Sequence, residues 1–377
     1  MEITVCECID DIPATAWNAL AGDDYPFLRH EFLSAAERSG SVAPDRGWYP
    51  RHLAVWDGEE LRGAMPLYEK DHSWGEFVFD WSWANAYEGA GLSYYPKLVS
   101  AVPFTPATSR RLLLADGDDA ATANGLLQGA LQLAVQSGSS SLHVLFPCQD
   151  ELARLEKLGL KVRKDCQFHW RNRGYETFDD FLATFSSAKR KKAKRDRRFV
   201  AEAGIRFRRL TGPDLDRDAW QTIYRLISIT FMRRGSLPYF DMDFFVDLSE
   251  QLPDNVLVVV AERGDEQIAA AVFFVGPDTL YGRYWGADGD YNALHFETCY
   301  YQGIDYCIDN GLSLFEPGTQ GEHKVSRGFT PETTWSAHWL AQPQFFDAIG
   351  EYLEAEHRHV ERYMESVGAR SPYKSEP

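Results

Sequence analysis

Two antiparallel hairpins set 204 residues apart constrain this chain more than any other feature. In the first, Arg51 to Trp56 leads through Asp57-Gly58-Glu59 into Leu61 to Tyr68. In the second, Val256 to Ala261 leads through Arg263-Gly264-Asp265 into Gln267 to Val275. Each joins apolar, β-branched runs across a polar turn that carries glycine, which is what a tight hairpin needs. A further strand is expected after each, near Glu76 to Trp81 and from Thr279 to Trp285. The offset is shared: 259 − 55 and 285 − 81 both give 204, for Val55 with Val259 and Trp81 with Trp285. This spacing reads as a duplicated unit, one copy in each half of the 377 residues.

Helices are expected between and after the strands. Asn124 to Ser137 precedes a strand from Ser141 to Phe146, and Leu152 to Leu158 ends at Gly159. Trp220, Ile223, Tyr224, Ile227 and Phe231 form one apolar helical face closed by Arg233-Arg234-Gly235. Leu294 to Asn310 is a long helix stopped by Gly311, followed by a short strand at Ser313 to Glu316. The last helix runs from Pro343 to Glu365, and Ser371 to Pro377 is expected to be a disordered tail. Strands mixed with helices in each half give an α/β class with mixed, mostly antiparallel sheets flanked by helices. The expected domains are 1–165 and 166–377, the second with a basic helix at 178–203.

Charge is distributed unevenly. The chain has 39 Lys+Arg and 56 Asp+Glu, a net −17, which excludes a broadly basic surface for duplex DNA. Yet the window 161–210 holds 16 basic and 6 acidic residues, a net +10, so the remainder carries −27. Within it, Lys189 to Arg198 has eight basic residues and one acid, after Phe178, Phe181, Leu182 and Phe185 at helical spacing. Thr177 and Asp180 form a candidate capping box at the start. Self-repulsion in such a helix suggests a polyanionic partner, with Lys191, Lys192, Lys194, Arg195 and Arg198 as contacts.

The N-terminal residues lack a basic segment followed by an apolar one, and no apolar run approaches the 18 or more residues of a membrane span. The six cysteines form no C-x-x-C pair and are expected to be reduced thiols. The expected location is the cytoplasm. His295-Phe296-Glu297 has the H-x-E form of zinc deaminases without the P-C-x-x-C that should follow, so no metal site is assigned.

The densest chemistry lies between 294 and 328. Glu297, Tyr301, Asp305 and Asp309 recur every four residues and share one face of an ideal helix. Glu316 ends a strand and opens a loop with Gly318, Gly321, Glu322, His323, Lys324, Arg327 and Gly328. A strand end followed by a glycine-bearing loop is a common ligand site in α/β sheets. Glu297, Glu316 and His323 are the candidate catalytic groups, and Lys324 and Arg327 offer fixed cations for an oxyanion or a donor phosphate. Gln320, Tyr301 and Arg283 are further candidates for substrate binding, and Trp83 and Tyr87 for an acceptor cleft in the first half.

Residues 294–338, with Tyr94-Tyr95-Pro96-Lys97-Leu98 and Pro103-Phe104-Thr105-Pro106, resemble the Fem-like branch of the GNAT acyltransferase superfamily, found in bacteria. The resemblance covers nearly the whole chain. It implies two tandem GNAT-like domains and amide formation between an activated acyl group and an amine, with a peptidoglycan precursor or small metabolite as acceptor. It also implies an acyl donor used as co-substrate rather than a permanently bound cofactor. The basic stretch Ser187 to Arg198 looks like the corresponding helix of Fem-type aminoacyl transferases, which use aminoacyl-tRNA. Ordinary GNAT enzymes hold the pyrophosphate of CoA in an [RQ]-x-x-G-x-[GA] loop. Here that place reads Gly286-Ala287-Asp288-Gly289-Asp290-Tyr291, whose two carboxylates would repel a pyrophosphate. Aminoacyl-tRNA is therefore favoured over acyl-CoA as the donor. The rival expectations are a catalytically inactive protein that binds a cell-wall precursor or RNA, and an acyl-CoA-dependent N-acetyltransferase.

Overall fold

Both hairpins form as expected: His52–Asp57 pairs antiparallel with Glu60–Met65, and Val256–Arg263 with Glu266–Val275. The computed structural model describes residues 1–115, 119–319 and 321–374. Its contacts divide the chain into two units, Met1–Cys166 with Thr333–Arg362, and Gln167–Glu332 with Tyr363–Pro377.

Each unit repeats one order of elements. A strand (Glu2–Cys6, or Ile205–Thr211) leads through two helices (Ala14–Ala21 and His30–Arg38, or Arg217–Met232 and Met242–Gln251) into the hairpin. In both, that strand lies antiparallel to the hairpin's first arm, through Ile3↔Val55 and Leu210↔Val258. The likeness ends after the hairpin. Thr279–Ala287 continues the second sheet as expected, but Glu76 to Trp81 forms no strand. Phe77 has φ 61°, which an extended ladder cannot hold, and Trp81 opens the Trp81–Gly89 helix. Glu76 and Asp80 turn inward instead, and the buried Lys97 donates to a carboxylate oxygen of each.

The expected domain 166–377 is interrupted. Ser336 to Leu340 pairs with Ser141–Leu145, and Ile349 and Leu353 pack on Trp83 and Tyr87, so 333–362 belongs with the first unit. The expected continuous basic helix is two helices, Phe178–Ala183 and Ser187–Glu202. Between them, Ser186 N–H donates to Pro372 O and Lys374 N–H to Thr184 O, which ties the break at Phe185 to the C-terminal segment. Phe185 and Tyr373 bridge there, ring against ring at 5.3 Å. Ser371 to Lys374 is thus docked rather than disordered, and Ser375 to Pro377 lie outside the described residues. The capping box at Thr177 and Asp180 forms as expected.

One close approach positions the second unit's site. A Cβ on Gly286 would lie 1.9 Å from Leu226 O, so only glycine lets the Arg217–Met232 helix settle on the Thr279–Ala287 strand.

Candidate active site

Thr279–Ala287 runs parallel to Leu314–Glu316 through three residue pairs, ending at Tyr281↔Glu316. The next residue on one strand is Pro317, which has no N–H to extend the ladder. On the other flank, Val272 pairs with Tyr284 and Phe273 with Gly282, which leaves Arg283 as the extra residue of a bulge. Bulges re-aim side chains. Beyond the last pair lies a half-open cavity of about 130 Å³, whose wall includes Arg283, Tyr284, Trp285, Pro317, His295, Cys299 and Tyr300. A second cavity of about 330 Å³ adjoins it, sharing Trp285 and His295 and continuing along Gly289, Asp290, Tyr291 and Asn292.

The expected helix Leu294 to Asn310 is interrupted by a π turn at Glu297–Tyr301, between Leu294–Phe296 and Gln302–Asp309. A π turn shifts the helical register, and such turns are frequent at functional sites. Here His295, Cys299 and Tyr300 line the cavity, while Glu297 and Asp305 meet Arg197 of the basic helix, at 3.1 and 2.7 Å.

Tyr300 Oη lies 2.8 Å from His323 Nε2. Burial pushes the Tyr300 phenol above its ordinary range, and burial, then Arg327 and Lys324, hold the His323 imidazole below its own. At neutral pH the phenol therefore donates and the neutral imidazole accepts. Gly321, at φ 113°, permits this arrangement: a Cβ there would fall 2.2 Å from His323 Cε1. His295 completes the aromatic cluster, its ring 4.7 Å from Trp285 and 5.5 Å from Tyr300, and burial lowers its imidazole to about 4.

The other candidates are not among the residues that line this cavity. Glu316 is buried beside Pro317; desolvation raises its carboxyl to about 7, against the pull of Arg283 and Arg171. Lys324 is buried, donates to Gly318 O at 2.6 Å, and is lowered by desolvation to about 7 despite the nearby Cys299. Arg327 donates to His323 O at 2.7 Å, lies over the Phe296 ring at 3.3 Å, and approaches the buried Asp196 at 3.7 Å. Glu297 is buried, accepts from Gln302 at 2.8 Å, and is raised by desolvation against Arg197. Tyr301 packs edge-on against Phe178 at 5.6 Å, away from the cavity wall. Trp83 and Tyr87 lie in the first unit's core, beside His338 and Phe345. Gln320 lies outside the described residues. Lys191, Lys192, Lys194, Arg195 and Arg198 are all exposed on the basic helix.

Of the sequence candidates, Arg283 lines the cavity and His323 reaches it through Tyr300. Ideal helical spacing groups Glu297 with Tyr301 and so hides His295, Cys299 and Tyr300, while Trp285 lies on the strand Thr279–Ala287, where helical spacing says nothing. The available signal was the run of ring-bearing residues His295, Phe296, Tyr300 and Tyr301 immediately before the glycine-bearing loop.

Sequence and structure comparisons agree with this architecture. The model of the FemAB-like family, described as peptidoglycan biosynthesis/recognition, matches residues 8–375. Among curated proteins none matches in sequence. The chain is similar in fold to a crystal structure of FemX, at TM-score 0.56 and 12% identity over 93% of this chain and 100% of that one. It is similar to the C-terminal domain of a putative lysylphosphatidylglycerol synthetase from Agrobacterium fabrum, at 0.54 and 9% over 91% and 94%. It is also similar to L-PGS from Bacillus licheniformis, at 0.52 and 11% over 86% and 96%. The chain belongs to the FemAB-like family, described as peptidoglycan biosynthesis/recognition.

Proposed function

We propose that this chain is an N-acyltransferase that forms an amide from an activated acyl group and an amine, using the second unit's cavity. The observation that carries this reading is the parting of Thr279–Ala287 from Leu314–Glu316, which opens a cavity walled by Arg283 and by Tyr300, with His323 behind the phenol. The amine nitrogen attacks the acyl carbon, and a C–N bond forms as the ester C–O or thioester C–S bond breaks. The amine's proton passes to Tyr300 as Tyr300 passes its own to His323, and the leaving oxygen or sulfur takes up a proton in return. Arg283, on the cavity wall, stabilises the oxyanion, and Glu316, buried one residue before the wall residue Pro317, is the alternative proton acceptor.

Five exposed cations on Ser187–Glu202 support an aminoacyl-tRNA donor, and the family's description supports a peptidoglycan precursor as acceptor. A donor screen tests the proposal. Charged tRNA and acyl-CoA are each mixed with amine acceptors, and loss of the acyl ester or thioester is followed with and without protein. Acceptor-dependent loss from charged tRNA supports it. A second reading, a binding protein without turnover, draws on the ion pair of Glu297 with Arg197 and on the hydrogen bond that Lys324 donates to Gly318 O. It is favoured if ligands bind and no donor is consumed.

A further inference from the structure

We infer that the turn 232–237 is a docking tip that sets the second unit on a bilayer surface bearing anionic lipid. The inference goes beyond the acyl-transfer reading and does not depend on it. Among the described residues of the second unit, Met232 and Leu237 are the only exposed large apolar side chains, at 57% and 66%. They flank Arg233, Arg234, Gly235 and Ser236, and all six are exposed. One exposed apolar residue is ordinary, whereas two on a single turn around a pair of arginines make an amphipathic patch. The turn is built, not loose. The Arg217–Met232 helix closes at Gly235, left-handed at φ 71°, whose N–H donates to Met232 O while Ser236 N–H donates to Phe231 O. Beneath it the Phe231 ring lies 5.4 Å from Tyr239 and 6.1 Å from Tyr284, and Pro238 and Phe240 are buried. The base is therefore anchored in aromatic packing beside the cavity wall, and the tip stays in solvent.

Charge decides what covers this patch. Residues 232–240 hold two arginines and no acid, in a chain of net −17. Arg233 faces the fully exposed Asp290 at 3.6 Å, a pairing that water screens, and Arg234 has no carboxylate partner among the described residues. The guanidinium groups attract lipid phosphates while Met232 and Leu237 enter the boundary between headgroups and acyl chains. Each signal alone binds weakly, and the two together suffice for reversible attachment. A second copy of the chain, meeting this patch across a two-fold axis, would set arginine against arginine. An RNA would use the cations, but these two aliphatic side chains offer its bases no flat ring to stack on.

The test is co-sedimentation of the full chain with vesicles of phosphatidylglycerol and phosphatidylcholine in equal parts, and with vesicles of phosphatidylcholine alone. Two double variants accompany the parent, Met232→Ser with Leu237→Ser, and Arg233→Gln with Arg234→Gln; all four side chains are exposed, so the core stays intact. The expected result is that the parent partitions onto the anionic vesicles about tenfold more strongly than onto the neutral ones, and that each double variant loses about tenfold. Added salt should weaken the parent and leave the arginine variant nearly unchanged. No partitioning of the parent, or partitioning that both variants retain, overturns the inference. A parent dimer that Leu237→Ser dissolves in light scattering, or tRNA binding that the arginine variant loses while vesicle binding persists, also overturns it. Partitioning is read without turnover, so a chain that consumes no acyl donor and still docks through this turn keeps the inference and loses the acyl-transfer reading.

Discussion

Tyr300 stands on the cavity wall and His323 behind it, phenol to imidazole at 2.8 Å, so a proton can leave the cavity without the histidine reaching it. In the proposed transfer Tyr300 is the first proton acceptor and His323 the second. Tyr300→Phe removes one oxygen and keeps the ring. The expected outcome is a transfer rate lower by about 10²-fold, with a melting temperature near that of the parent. His323→Ala should cost a similar factor, and the double variant little more than either, because the two act as one relay. Fully multiplicative losses in rate measurements would show that they act separately.

Much of the fold is legible in the sequence, because hairpins, caps and helix stops are local. The two hairpins and the Thr177–Asp180 capping box follow from residues within a few positions of one another. Tertiary contacts escaped. The break at Phe185 depends on Tyr373, 188 positions later by 373 − 185, and the inward turn at Glu76 and Asp80 depends on Lys97. Within the site, the glycine-bearing loop was readable as chemistry, whereas the cavity wall was not. One π turn moves His295, Cys299 and Tyr300 to the wall and gives Glu297 to Arg197, and no periodicity in the residues announces it.

Glu316 sets a pH dependence whose sign can be worked out. Its carboxyl titrates at about 7 in the folded chain against an ordinary 4.5, so the folded state prefers it protonated. Its contribution is therefore most favourable below pH 4.5 and is lost as pH rises through about 7. Glu316→Gln escapes that loss. In denaturant titrations the variant should gain stability relative to the parent between pH 4.5 and about 7, with a constant difference above. A difference that does not change with pH would contradict a buried, raised carboxyl at this position.

The exposed face of Ser187–Glu202 should govern salt dependence if RNA binds there. Replacing Lys191, Lys192, Lys194 and Arg195 with Gln leaves the buried Ala193, Asp196 and Val200 untouched, so the helix should stay docked. The slope of log K against log salt for a charged tRNA should become shallower by about 3, from about 0.7 to 0.9 per phosphate contact. An unaltered slope would remove RNA from this helix.

Arg197 serves structure rather than ligand. It pairs with Glu297 at 3.1 Å and with Asp305 at 2.7 Å, and Glu297 is almost wholly buried. Arg197→Met leaves that carboxylate without its cation, and chemical denaturation should show a loss of about 3–5 kcal/mol. A loss below about 1 kcal/mol, the range of surface ion pairs, would show that the pair is solvated.

The most direct test of the central claim is the mass of the acceptor. The protein is incubated with tRNA charged with an isotopically labelled amino acid and with peptidoglycan precursors and simple amines as acceptors, beside a Tyr300→Phe control. The account predicts an acceptor heavier by one labelled aminoacyl residue in amide linkage, formed far more slowly by the control. Tight binding of donor and acceptor with no labelled amide from charged tRNA, or from acyl-CoA in its place, would contradict it.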